Sequence, residues 1–130
     1  MKLKEIEDEA RRLAKNEAFD ECIAFVESHK LKQKKSWVDV WFILGIVQFL
    51  TKRFREAAKT FTVCIKIDPI KSITLEFWEY LGKCYINLNE LNAAEEVYRR
   101  LLELSRANLG RGEREALDGL KSVARARGTL

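Results

Sequence analysis

The side chains that could carry out chemistry are few and scattered. His29 is the single histidine, and Cys22, Cys64 and Cys84 are widely spaced with no Cys-x-x-Cys. A structural zinc takes about four Cys or His ligands. One histidine beside lysines cannot supply them, so His29 reads as a helix-end residue. An odd number of cysteines closes no disulfide framework and points to a reducing, cytoplasmic setting. A redox thiol needs exposure and a depressed pKa, which nothing here signals. Gly110-x-Gly112 lacks a third glycine and a preceding strand, so it is a helix break and not a dinucleotide loop. No P-loop and no His-Glu-x-x-His occur. Glu95-Glu96 lies in a charged run and reads as solvated surface. Lys30, Lys32, Lys34 and Lys35 could touch phosphate or an acidic membrane, but no aromatic lies between them to stack on bases. They read as a solvated connector, and a nucleic-acid partner is not expected. The expectation is no enzyme, no cofactor and no metal.

The scaffold under these residues is helical. The chain has 130 residues, the size of one domain, and 47% of them are apolar. Six glycines and one proline are few, which favours long helices. The 24 basic and 20 acidic residues leave a net charge of +4, too mixed to specify a partner. Met1 to Glu9 is charged, so no signal peptide is expected there. The most apolar stretch, Val40 to Leu50, is shorter than the about 20 residues that span a bilayer. Leu3, Ile6, Ala10, Leu13 and Ala14 fall on one helix face. Phe19, Cys22, Ile23 and Val26 begin a second helix. Ser36 is a candidate N-cap for a third, Trp37 to Thr51. Phe54 to Ile67 is stopped by Asp68-Pro69. Ile73 to Leu88, Leu91 to Ser105 and Glu113 to Arg127 follow.

Internal repetition orders these helices. Trp41, Leu44, Gly45, Ala57 and Phe61 recur as Trp78, Leu81, Gly82, Ala94 and Tyr98, every pair offset by 37 residues. The spacing Trp-x2-Leu-Gly, a small residue 12 later and an aromatic 4 after that, resembles the tetratricopeptide repeat. Gln48 stands where Tyr85 supplies an aromatic, and Arg106 where Pro69 ends the first copy. The family period is about 34, so the offset implies extra residues around Lys71-Ser72-Ile73. A degenerate copy at an offset of 35 sets Ala10, Cys22 and Val26 at the Gly45, Ala57 and Phe61 places. Gly or Ala at these places lets paired helices approach, Trp41 and Trp78 fill space between repeats, and the cysteines act as small buried hydrophobes. A single helix pair cannot bury its apolar face, so copies stack and the ends need polar caps.

The resemblance implies an all-α fold: a right-handed superhelical array of about seven helices in one domain, 1–130. It would hold a degenerate repeat at about 3–35, repeats at 38–71 and 75–108, and a capping helix at about 113–127. In that cap Leu117, Leu120 and Val123 would face inward. The family's first helices line a concave groove. By register the groove residues are Lys4, Glu7, Arg11 and Lys15, then Phe42, Ile46, Phe49 and Leu50, then Glu76, Glu79, Lys83, Ile86 and Asn87. The partner-binding candidates are Arg11, Phe42, Ile46, Phe49, Glu76, Glu79, Lys83 and Ile86. One subclass grips C-terminal carboxylates with Lys, Arg and Asn. Its places here hold Glu7, Arg11, Ile43, Glu76 and Tyr80, which disfavours that clamp. The implied function is a non-enzymatic adaptor, scaffold or co-chaperone that binds a peptide or partner helix in the groove. The alternatives are a self-associating structural protein, in which a second subunit covers the apolar face, and a small three-repeat secretion-type chaperone. The capping helix covering that face is a further possibility.

Overall fold

The computed structural model describes residues 1–69 and 74–129. Among them are seven α-helices: α1 (Leu3–Lys15), α2 (Phe19–Glu27), α3 (Val38–Leu50), α4 (Phe54–Ile67), α5 (Thr74–Asn87), α6 (Leu91–Ala107) and α7 (Glu113–Arg127). The extra residues expected around Lys71-Ser72-Ile73 lie outside the described residues. The helices fall into two compact units, Met1–Asp68 and Pro69–Leu130. No described helix is long and apolar enough to cross a membrane.

In the first unit, Ile6, Ala10, Cys22, Val26, Val40, Leu44 and Val47 form a core shared by α1, α2 and α3. Trp41 packs against that core and donates its indole N–H to the Lys32 carbonyl at 2.9 Å, which pins the connector before α3. The Cys22 thiol donates to the Ala10 carbonyl at 3.3 Å, so α1 and α2 touch where both residues are small. The α3–α4 contact is closer still. A methyl group on Gly45 would come within 2.8 Å of the buried Phe61 ring. Gln48, the residue that breaks the aromatic pattern, is buried and accepts a 2.6 Å bond from the Thr60 hydroxyl of α4. A polar pair thus replaces an aromatic, and both partners are satisfied, as burial requires.

In the second unit, α5, α6 and α7 enclose Ala94, Tyr98, Leu101, Ala116 and Val123, with Trp78 and Tyr85 packed against them. The Tyr98 ring lies between Gly82 of α5 and Gly119 of α7. An added methyl on Gly82 would sit 2.5 Å from it, and one on Gly119 nearer still.

The helices of each pair, α1–α2, α3–α4 and α5–α6, are joined by one turn geometry. Glu17, Lys52 and Asn89 hold left-handed backbones with φ of 58°, 62° and 57°. The next amide donates back to a carbonyl five residues earlier: Ala18 to Leu13 at 2.9 Å, Arg53 to Gln48 at 2.8 Å and Glu90 to Tyr85 at 2.9 Å. This is the Schellman closure of a helix end. The three turns are 35 and 37 residues apart, the offsets of the sequence repeat.

Two local expectations are corrected. Ser36 does not cap α3: it lies inside a 3-10 turn, Lys35–Trp37, and Trp37 precedes α3 with no side-chain capping bond. Leu117 does not face inward; it is 42% exposed, and the buried stripe of α7 is Ala116, Gly119 and Val123 with Leu120 half-buried. The Tyr98 ring leaves room on α7 only for a glycine, which sets the rotation of the helix and turns Leu117 outward.

Candidate functional site

Each unit carries clefts, and their chemistry differs. In the first unit a cleft of about 350 Å³ lies between α1, the start of α2 and α3. Arg11, Ala14 and Lys15 come from α1, Phe19 from α2, and Phe42, Ile43, Ile46, Val47 and Leu50 from α3. These α3 residues are available because the helix is apolar nearly all round: of Trp37 to Leu50, only Asp39, Gly45 and Gln48 are not apolar. One face builds the core, and another is left to line the cleft. Leu50 at its edge is 55% exposed. Arg11 pairs with Glu7 at 3.1 Å one turn earlier.

In the second unit the α5 face reserved for a groove looks onto α7. One cleft of about 480 Å³ is lined by Leu75, Glu76, Glu79, Leu101, Arg111, Gly112 and Glu115. A neighbouring one of about 350 Å³ is lined by Glu79, Lys83, Ile86, Asn87, Tyr98, Glu115, Asp118, Gly119 and Ser122. Carboxylates outnumber cations in both. Lys83 spans the 3.0 Å ion pair to Glu79 and lies 5.3 Å over the Tyr80 ring. Burial pushes the Tyr98 phenol above its ordinary range, with the nearby Glu79 carboxylate acting the same way. The thiols are equally withdrawn. Burial pushes Cys64 and Cys84 up to about 12 and raises Cys22, so at all three the neutral thiol is favoured over the thiolate.

Seven of the eight sequence-chosen residues therefore line clefts. Arg11, Phe42 and Ile46 meet in the first unit. Glu76, Glu79, Lys83 and Ile86 are distributed over the two clefts of the second. Phe49 is placed elsewhere: its ring packs edge-to-face on Phe54 of α4 at a centroid distance of 5.5 Å. Phe42 does double duty, since its ring also meets Phe61 at 6.1 Å. Phe19, Ile43, Arg111, Glu115, Asp118 and Ser122 were not among the expected groove residues. A signal for the α7 share did exist: Gly119 sits inside a helix, where glycine is costly unless something packs against it.

The comparisons with known proteins agree with this geometry. Residues 75–108, the α5–α6 pair, match the tetratricopeptide repeat model. No curated protein matches the chain. Among solved structures, a chain of a T3SS complex from Aeromonas hydrophila superposes with a TM-score of 0.77 at 16% identity, covering 98% of this chain and 84% of that one. The first TPR domain of human RPAP3 gives 0.70 at 17%, covering 98% and 93%. MamA of MSR-1 gives 0.65 at 16%, covering 98% and 78%. Residues 75–108 thus carry a tetratricopeptide repeat, and the chain as a whole has the all-α fold of tetratricopeptide-repeat structures.

Proposed function

We propose that the chain is a non-enzymatic adaptor, located in the cytoplasm, whose first-unit cleft takes a peptide segment or helix of a partner protein. The observation that carries this reading is the α3 face: the half-buried Phe42, Ile43 and Ile46 and the exposed Leu50 together line one open, mainly apolar concavity. Apolar concave surface bordered by charge is the form taken by helix-in-groove recognition. Phe42 and Ile46 supply apolar area, and Arg11 at the border supplies orientation. Glu76, Glu79, Lys83 and Ile86 in the second unit form a separate, more polar surface.

The test is affinity capture with the parent chain and with Leu50→Asp, an exposed position whose change leaves the core untouched. Partners held by the parent should be lost from the variant while the helical circular dichroism stays the same. Equal capture by both chains would place the interaction elsewhere. A second reading, a self-associating chain or small secretion-type chaperone, is compatible with the likeness to a T3SS complex chain. Mass measurement across concentration separates it, since Leu50→Asp would then turn a dimer into a monomer.

A further inference from the structure

The interaction reading leaves open what kind of segment the first-unit cleft selects, and its charges bear on that. The charged residues that line it, among those described, are Arg11 and Lys15, and no carboxylate joins them. The other cations of α1 are occupied along their own helix: Lys4 with Asp8 at 3.2 Å, and Arg12 with Glu9 through a 2.7 Å hydrogen bond. Lys15 is exposed and takes part in no ion pair among the described residues. A cation in the last turn of α1 complements the negative helix end. That role accounts for a cation there, but not for its standing at the edge of an apolar concavity.

The spacing adds direction. Phe42, Ile46 and Leu50 fall at four-residue steps, a stripe about 12 Å long on a helix rising about 1.5 Å per residue. Arg11 and Lys15 are four residues apart on α1, about 6 Å along that helix, and both line the cleft opposite the α3 residues. A ligand lying in the cleft therefore meets apolar side chains on one side and positive charge on the other. A lysine-bearing segment is repelled there, and an uncharged one leaves Lys15 without a partner.

We propose, resting on the interaction reading above, that this cleft takes an amphipathic protein segment. That segment carries Asp or Glu along the edge beside its large apolar side chains. The cations select and steer, while the α3 face holds. Glu7 already engages Arg11, so Lys15 is the first contact of an incoming carboxylate and Arg11 the second.

The probe is a library of random-sequence peptides displayed on phage and selected against the full chain. Individual peptides are then measured by fluorescence anisotropy against the parent, Lys15→Glu and Leu50→Ser. Retained peptides should combine Leu, Ile or Phe with Asp or Glu. Lys15→Glu should weaken them about fivefold at low salt and less at high salt, as expected for an exposed charge at an interface rim. Replacing the peptide's acids by Lys should weaken binding to the parent and restore it in Lys15→Glu. If retained peptides depend on Leu50 but show no acidic preference and ignore Lys15→Glu, the charge assignment falls and the interaction reading stands. If no retained peptide responds to Leu50→Ser or Lys15→Glu, both fall. A parent dimer that Leu50→Ser dissociates would make a second copy the occupant and overturn the proposal.

Discussion

Gly45, Gly82 and Gly119 are the residues at which packing is least forgiving. Each lies against a buried aromatic ring that an added methyl would strike: Phe61 against Gly45, and Tyr98 against both Gly82 and Gly119. Alanine at a helix interior gains up to about 1 kcal/mol of propensity over glycine, whereas overpacking a closed contact costs about 1–3 kcal/mol. The collision wins where the ring cannot move. Each Gly→Ala variant is expected to lose about 1–2 kcal/mol, with Gly119→Ala the worst, read as a fall in the urea midpoint. Midpoints that rise would mean the rings can shift. The first two glycines were legible in the sequence, because Gly45 and Gly82 recur in register with their rings 16 residues later. Gly119 gave only the weaker signal of a glycine inside a helix, with no register to name its ring, because the capping helix repeats nothing. Gln48 was legible only as a departure. That it would bond Thr60 depends on a neighbour across the helix pair, which no periodicity encodes.

The seventh helix shows how an element is fixed by contacts at its two ends. Its Ala116–Val123 stripe packs on α6, and its last turn is tied down by Arg127, which reaches Glu95 and Asn92 of α6. The Arg127 hydrogen bond holds the Glu95 carboxyl below its usual range, with Arg99 contributing. A depressed carboxylate stabilises the fold above the ordinary Glu range, and the contribution disappears as pH falls through the folded value. Arg127→Ala should therefore increase amide exchange in the last turns of α7 near neutral pH, while Ala116 and its neighbours stay protected. The difference from the parent should shrink as the pH falls below the ordinary glutamate range. Exchange that is equal at neutral pH would show the tie to be idle. The extent of this helix was readable from its sequence, since the glycine break and the amphipathic period mark both ends. Its rotation was not, because Leu117 and Leu120 have the same hydropathy and only the ring of Tyr98 distinguishes their faces.

At the scale of the whole chain, the question is which surface chooses the partner, and two compete. The cleft of the first unit offers shape and apolar area. The connector before α3 offers charge: Lys30, Lys32, Lys34 and Lys35 are all exposed and, among the described residues, none is in an ion pair. The connector is also held in place, by the Trp41 bond to Lys32 and by Leu31 packed against the core. The sequence made the lysines visible and left their setting open. A groove line of evenly spaced residues was likewise legible, but not that α7 would face its last third. Four lysines that each neutralise one phosphate would give a salt slope near −3.6, so duplex binding should fall about a hundredfold between 50 and 200 mM salt. With only four phosphate contacts, binding of that kind belongs at the weak end of the non-specific range, about 10⁻⁴ M at physiological salt. Aromatic stacking, which could add affinity on single strands, has no exposed ring on the connector. A labelled duplex and a labelled single strand should therefore bind weakly at low salt and not measurably at physiological salt, and changing the four lysines to Ser should leave capture by the cleft intact. Micromolar binding that persists at physiological salt and vanishes in that variant would move the partner-selecting surface to the connector and make the partner a nucleic acid.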